Sequence, residues 1–270
     1  MGSGEAMFEK KDTAFRSGRI LTQEMLDLLY AWPRQTVQLS CRHLADGILC
    51  GMEYEVSGDD FLIHPGILWH QGEPWFLRQT LSLKSLCREK QPQDGQHYFL
   101  QLLPETRKAQ GNVTTRLMDM TLAASDKGMT NFGSFYYQSG MIPRLPSAWQ
   151  EMIENLDNTF YFNLSSIPWA APEEATFHPL IFTYLAQALE QKSSRSALET
   201  AMLVQLYERG TLTMKTLRLY TGDSDDVSRE ALLKHMDQAL QKVEAVPTVP
   251  KMPPQEPKKV KRMSIERGMI

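Results

Sequence analysis

Residues 46–75 read DGILCGMEYEVSGDDFLIHPGILWHQGEPW. Short apolar runs are separated by SGDD, HPG and QGEP, and the first run alternates through Ile48, Cys50, Met52, Tyr54 and Val56. A period of two places successive side chains on opposite faces, so these runs predict half-buried strands. The separators are of hairpin length, which predicts antiparallel pairing. Further strands are expected in WFLRQTLSLKS, HYFLQLL and VTTRLMDMTLA, giving an antiparallel sheet or small barrel over 47–124.

Upstream the period is helical. Leu21, Met25, Leu28, Leu29 and Trp32 recur at spacings of three and four, with Thr22 as N-cap and Glu24 in the first turn. Pro33 predicts a kink or the start of a second helix, whose apolar face would be Val37, Cys41 and Leu44.

Downstream, residues 125–146 are rich in Gly, Ser and Tyr and predict a long loop or a pair of irregular strands. Ser147 with Gln150, and Ser196 with Glu199, predict capping boxes. Pro179 suits a helix first turn, Gly210 and Gly222 are helix stops, and Asp225, Asp226 and Ser228 precede a final helix. Leu232, Leu233, Met236, Leu240 and Val243 form a stripe on that helix and are expected to present a face to a partner. The predicted class is therefore α+β: an N-terminal arm and helix (1–46), the antiparallel β module (47–124), a loop-rich connection (125–146), a helical region (147–246), and a basic, Pro-rich disordered tail (247–270).

Composition narrows the function. The 270 residues are 42% hydrophobic and 23% charged, ordinary for a protein with its own core. Three cysteines, Cys41, Cys50 and Cys87, without a CxxC pattern predict reduced thiols rather than a disulfide framework. No run approaches the roughly 18 apolar residues of a membrane span, and MGSGEAMFEKKD holds no signal-peptide core. Ala6 also stands where a myristoylation pattern wants Ser or Thr, so the expectation is a protein made and kept in a cytosol. Net charge is −3. The last twenty residues carry about +4 and leave the rest near −7, which argues against a broad nucleic-acid face. In the tail, Lys258, Lys259, Lys261 and Arg262 suit an electrostatic contact with an acidic partner better than a nuclear import signal.

Each chemical reading meets a plainer one. His64, His70 and Glu73 could ligate a metal, but a Pro-Gly turn separates the histidines and they read as turn or edge residues. Cys41 and His43, two apart on a helix, point to different faces, and Cys41 falls on the apolar stripe. GDSDD fails the calcium-loop pattern and is explained by the helix that follows. Trp69, Trp75, Phe99, Tyr136 and Tyr137 could stack sugars or bases, yet aromatics of a β module are mostly core. No catalytic residue, cofactor or metal is predicted.

The order SGRILTQEMLDLLYAWPRQTVQLSCRHLADGILCGMEYEV, then FLIHPGILWHQGEPWFL, resembles tail and baseplate proteins of bacteriophages and related contractile particles. Gly18, Leu21, Thr22, Tyr30, Arg34, Gly47, Ile48, Gly51, Met52, Pro65, Gly66 and Gly72 carry that resemblance over about residues 17–105, with departures at His64 and Leu68. A helical region behind a β shoulder is loosely similar to the type VI secretion baseplate adaptor. Gly47, Gly51, Pro65, Gly66 and Gly72 are then structural turns of the module, with a positive φ expected at Gly66. The resemblance implies a non-enzymatic virion structural protein of a phage tail or contractile injection system, in the baseplate or attaching tail fibres to it. Its partners would be other tail or baseplate proteins and copies of itself, with no nucleic acid and no membrane span, in a virion tail or phage-like particle assembled in the bacterial cytoplasm. The alternatives are a receptor- or glycan-binding tail-tip protein and, from the enzyme class, a cell-wall hydrolase using Glu53 or Glu55.

Overall fold

The computed structural model describes residues 20, 22–110, 113–126, 130–156 and 160–242. The predicted tail, with Lys258, Lys259, Lys261 and Arg262, lies outside the described residues, as do the N-terminal arm, Leu21 and Val243. The architecture is α+β: a leading helix, small antiparallel sheets, then helices.

Helix α1 (Gln23–Cys41) continues across Pro33 as one element, so no second helix opens there. Thr22 caps it, its hydroxyl accepting from the Met25 N–H at 3.3 Å. None of its residues is buried.

The strand expected from Ile48 to Val56 is broken in two. Gly51 (φ 68°) and Met52 (φ 54°) both turn left-handed, and the chain leaves one sheet for another. Strand β1 (Gly47–Gly51) pairs with β4 (Gly66–His70), which pairs with β5 (Glu73–Leu77). Strand β2 (Tyr54–Ser57) pairs instead with β3 (Asp60–Ile63), and β3 with β6 (Leu81–Ser82). The chain returns to the first sheet at Pro65–Gly66, beside the place where it left. Met52 N–H donates to the Pro65 carbonyl at 3.1 Å, and His64 N–H to that of Glu53 at 2.9 Å. HPG is therefore a crossing between sheets rather than a hairpin turn. Gly66 has no positive φ; a Cβ there would sit 2.5 Å from the Met52 nitrogen, and close approach is what requires glycine. A Cβ on Gly51 would lie 2.4 Å from the Pro65 oxygen. QGEP is a true hairpin: Gln71 (φ 52°) and Gly72 (φ 77°) are its two central residues, as a type I′ turn demands.

The segment after Leu81, expected to continue a strand, is helix α2 (Leu83–Lys90). Ser82 accepts from the Ser85 N–H at 3.0 Å, and Leu83 and Leu86 are buried one turn apart. Strand β7 (Gln96–Leu102) centres a third sheet, between β10 (Met120–Ala123) and β11 (Asn131–Tyr137). Strand β11 occupies the stretch read as loop or irregular strand, and a register shift between Asn131 and Ser134 bends it. Strands β8 (Thr106–Gln110) and β9 (Val113–Leu117) form a separate two-stranded ribbon.

Helix α3 (Trp149–Glu154) is capped differently from expectation. Ser147 offers its N–H and hydroxyl to the Glu151 carboxylate, each at 2.6 Å, and Gln150 reaches Glu154 instead. Helix α4 (Pro179–Gln191) starts with proline at its N-terminus and is capped by the His178 ring nitrogen, 3.2 Å from the Leu180 N–H. Helix α5 (Ala197–Arg209) opens with the Ser196–Glu199 capping box and stops at Gly210 (φ 71°). Helix α6 (Met214–Thr221) stops at Gly222 (φ 78°), and α7 (Arg229–Gln241) begins after Ser228.

One hydrophobic core spans both halves, from Ile48 and Phe61 through Phe162 and Phe182 to Leu233. The irregular segment 160–178 joins them. Ile48 N–H donates to the Pro168 carbonyl at 2.9 Å and Ala170 N–H returns to that of Ile48 at 2.8 Å. Gly47 serves this contact, since a Cβ would stand 2.7 Å from the Ala170 nitrogen. Arg229 fixes the same segment to α7, donating to the carbonyls of Ser165, Ile167, Ala175 and Thr176 at 2.7–3.1 Å over the Phe177 ring.

Candidate interaction surface

The residues considered for chemistry are dispersed. His64 meets Glu55 at 2.7 Å, His70 meets Asp46 at 2.8 Å, and Glu73 is held by two arginines. Each is spoken for by a different partner, and among the described residues no group of His, Cys, Asp and Glu is arranged to hold a metal. Glu53 is exposed, and Glu55 spends its carboxylate on His64 at the surface. Cys41 is half-buried and His43 exposed. Trp69 is core at 2% exposure, whereas Phe99 and Tyr136 flank His97 in a half-buried ring ladder with centroids 4.6 Å apart.

The stripe expected to await a partner on α7 is already covered by this chain. Leu232, Leu233 and Met236 are fully buried, and Leu240 packs against the same cluster. Helix α6 and helix α3 supply the cover, and Trp149 donates its indole N–H to Asp237 at 3.0 Å.

An apolar face is left open on α1. Leu26, Leu29, Tyr30 and Val37 are 38–71% exposed on its outer side. The inner side is half-covered at Met25, Leu28 and Ala31, and beyond them an open cleft of about 480 Å³, lined by Gln38, Leu39, Arg42, Leu44, Asp46 and Trp69 among others, separates the helix from the β module. A monomer rarely leaves this much contiguous apolar surface without a use for it.

What holds α1 against the module is a chain of charges. Arg34 and Arg116 both bond Glu73, and Arg116 and Arg107 both bond Glu105, tying α1, the β4–β5 hairpin and the β8–β9 ribbon into one surface. Arg116 also lies 5.0 Å over the Trp75 ring. Its hydrogen bonds to Glu105, with those of Arg107, hold that carboxyl down to about 2, and Arg116 likewise lowers Glu73. These partners stand 39 and 43 residues apart in sequence, so no local pattern announces them. The carboxylates of this surface, Glu73 and Glu105, are each held by two arginines.

Elsewhere the core holds perturbed cationic groups that no motif predicted. Burial pushes His178 down to about 4 and Arg229 down to about 10. Both sit at helix starts and both serve packing.

No family model and no curated protein matches this chain. Among solved structures it is similar to a crystal structure of TssK, with 9% identity and a TM-score of 0.38, over 86% of this chain and 70% of that one. It is also similar to a chain in the type VI secretion TssK-TssF-TssG baseplate subcomplex, with 10% identity and a TM-score of 0.36, over 87% of this chain and 100% of that one. A chain of the type VI secretion baseplate complex gives 9% identity and a TM-score of 0.30, over 87% of this chain and 100% of that one.

Proposed function

We propose that this protein is a structural subunit of a contractile tail or contractile injection particle, placed in the baseplate or where fibres attach to it, and that it works through subunit interfaces. The observation that carries this reading is α1: a nineteen-residue helix with no buried residue and an apolar outer face, tied to the β module through Arg34 and Glu73. A solitary monomer gains nothing from that arrangement, whereas a subunit of an assembly covers the face on docking. The resemblance over residues 17–105 supplies the kind of assembly. The particle would be put together in the bacterial cytoplasm, from other baseplate proteins and further copies of this chain.

The test is composition. Particles purified from producing cells should contain the protein at a fixed ratio to sheath and tube subunits by quantitative mass spectrometry. A Leu29→Asp/Tyr30→Asp variant should fold, by thermal melting, and be missing from the particles. Particles of full length and normal function that lack the wild-type protein would end the proposal.

A second reading, glycan recognition, is favoured by the His97, Phe99 and Tyr136 ladder on the outer face of the third sheet. Binding on a glycan array that Tyr136→Ala removes would support it.

A further inference from the structure

The cleft between α1 and the β module does not end beside Trp69. At Gln38 and Gly72 it opens into a second hollow of about 530 Å³, bounded by Gln71, Glu73, Arg107 and Arg116, so the two form one trough. One wall is a single face of α1, where Gln35, Leu39 and Arg42 stand four and three residues apart. The polar groups of the trough are unevenly satisfied. Its carboxylates are engaged: Asp46 by His70 and the Gln71 N–H, and Glu73 by Arg34 and Arg116. Its cations are not. Arg42 is exposed and has no hydrogen bond or ion pair among the described residues. Arg107, its side chain 71% exposed, reaches Glu105 through Nε alone and keeps both terminal nitrogens. The side-chain amides of Gln35, Gln38 and Gln71 are likewise without a partner among the described residues. Amid these groups Leu39 is 69% exposed, with Leu44 lining the same stretch.

We infer that this trough docks an extended acidic segment of a partner protein, with an apolar side chain beside Leu39 and Leu44 and carboxylates at Arg42 and Arg107. The inference rests on the reading of the protein as an assembly subunit and gives one of its partners a chemistry. Charge fixes the sign. With Asp46 and Glu73 engaged, the trough offers spare guanidinium donors, so an incoming acid finds partners that an incoming base does not. The glutamines fix the class. A side-chain amide both donates and accepts, which suits the N–H and C=O groups of a peptide passing it, whereas a phosphodiester only accepts. The basic end of this chain has the wrong sign for the trough, since its last twenty residues carry about +4.

The first measurement presents the full chain with an array of short peptides in which Glu or Asp alternates with Leu, Ile or Phe, beside the same peptides carrying Gln, Asn or Lys at the acidic positions. Binding is expected for the acidic set only. The tightest peptide, labelled with fluorescein and followed by anisotropy, should bind saturably and more weakly as salt rises. Arg42→Gln and Leu39→Asp should each weaken it about tenfold or more with unchanged thermal melting. Arg107→Gln should act in the same direction, and Arg88→Gln, exposed on α2 and outside the trough, should leave binding as it is. Absence of saturable binding across the array overturns this inference while leaving the particle-composition test of the proposed function untouched. Binding that the uncharged peptides match, that inorganic phosphate displaces, or that is indifferent to Arg42→Gln and Leu39→Asp overturns it as well. So does a dimer, by sedimentation equilibrium, that Leu39→Asp dissociates, because the occupant is then a second copy.

Discussion

Helices α1 and α7 carry similar apolar periodicity and meet opposite fates. In α7, Leu232, Leu233 and Met236 are wholly buried; in α1, Leu26 and Leu29 are about half exposed. The difference lies in what anchors each helix. Helix α7 begins at Ser228, whose hydroxyl accepts from the Ala231 N–H, and at Arg229, whose guanidinium binds four carbonyls of the irregular segment. Trp149 then holds Asp237 two turns later. Helix α1 is tethered by a surface ion pair across an open cleft. Amphipathicity says that a face wants cover, and the polar anchors at its ends decide whether the same chain supplies it.

That contrast can be broken most directly by truncating one leucine in each helix. Leu233→Ala is expected to cost roughly 2–5 kcal/mol in urea unfolding, and Leu29→Ala no more than about 0.5 kcal/mol in the same assay. Comparable losses would abolish the distinction. Next, Arg229→Met should cost roughly 3–4 kcal/mol, because four carbonyls lose a common donor inside the core. Loss of protection in segment 160–178 by hydrogen exchange would localise the effect.

The third test uses pH. Burial lowers His178 from 6.5 to about 4, so below pH 6.5 the unfolded chain takes up a proton that the folded chain refuses. The stability due to neutral His178 is complete above pH 6.5 and falls as pH drops toward about 4, by up to ~3 kcal/mol in total. His178→Asn keeps an N-cap acceptor without a titrating ring and should flatten that slope of unfolding free energy against pH. The smallest effect is expected at the charged tether. Glu105→Gln should leave the midpoint of urea unfolding almost unmoved, because surface pairs are screened. It should still speed amide exchange in ribbon residues 106–110 and 113–117. As a carboxylate held below its ordinary value, Glu105 keeps the wild-type tether above its unfolded pKa and releases it as pH falls toward about 2.

Much of the fold was readable where signals are local. Thr22, Ser196 with Glu199, Pro179, Gly210 and Gly222 mark helix ends because caps and left-handed stops act within four residues. Alternation from Ile48 onward identified strands for the same reason. It could not show that Gly51 and Met52 send the chain into a second sheet, since the reason is the Pro65–Gly66 backbone passing beside them. Helix α2 was missed because LSLKSLCREK fits both an alternating and a helical reading, and Ser82 as a cap tips the balance. The candidate surface was half legible: the apolar stripe of α1 was plain, but its exposure was not, and the stripe chosen as open was the one the core had already taken.

By itself, then, the sequence determined most of the segments that become helix or strand, where many of them stop, and which of their faces are apolar. Those properties follow from dihedral preferences and short-range hydrogen bonds. Tertiary structure decided which apolar face would be left over. That choice turns on contacts between residues far apart in the chain, such as Arg229 with the irregular segment or Arg34 with Glu73, and a one-dimensional pattern holds no record of such distances.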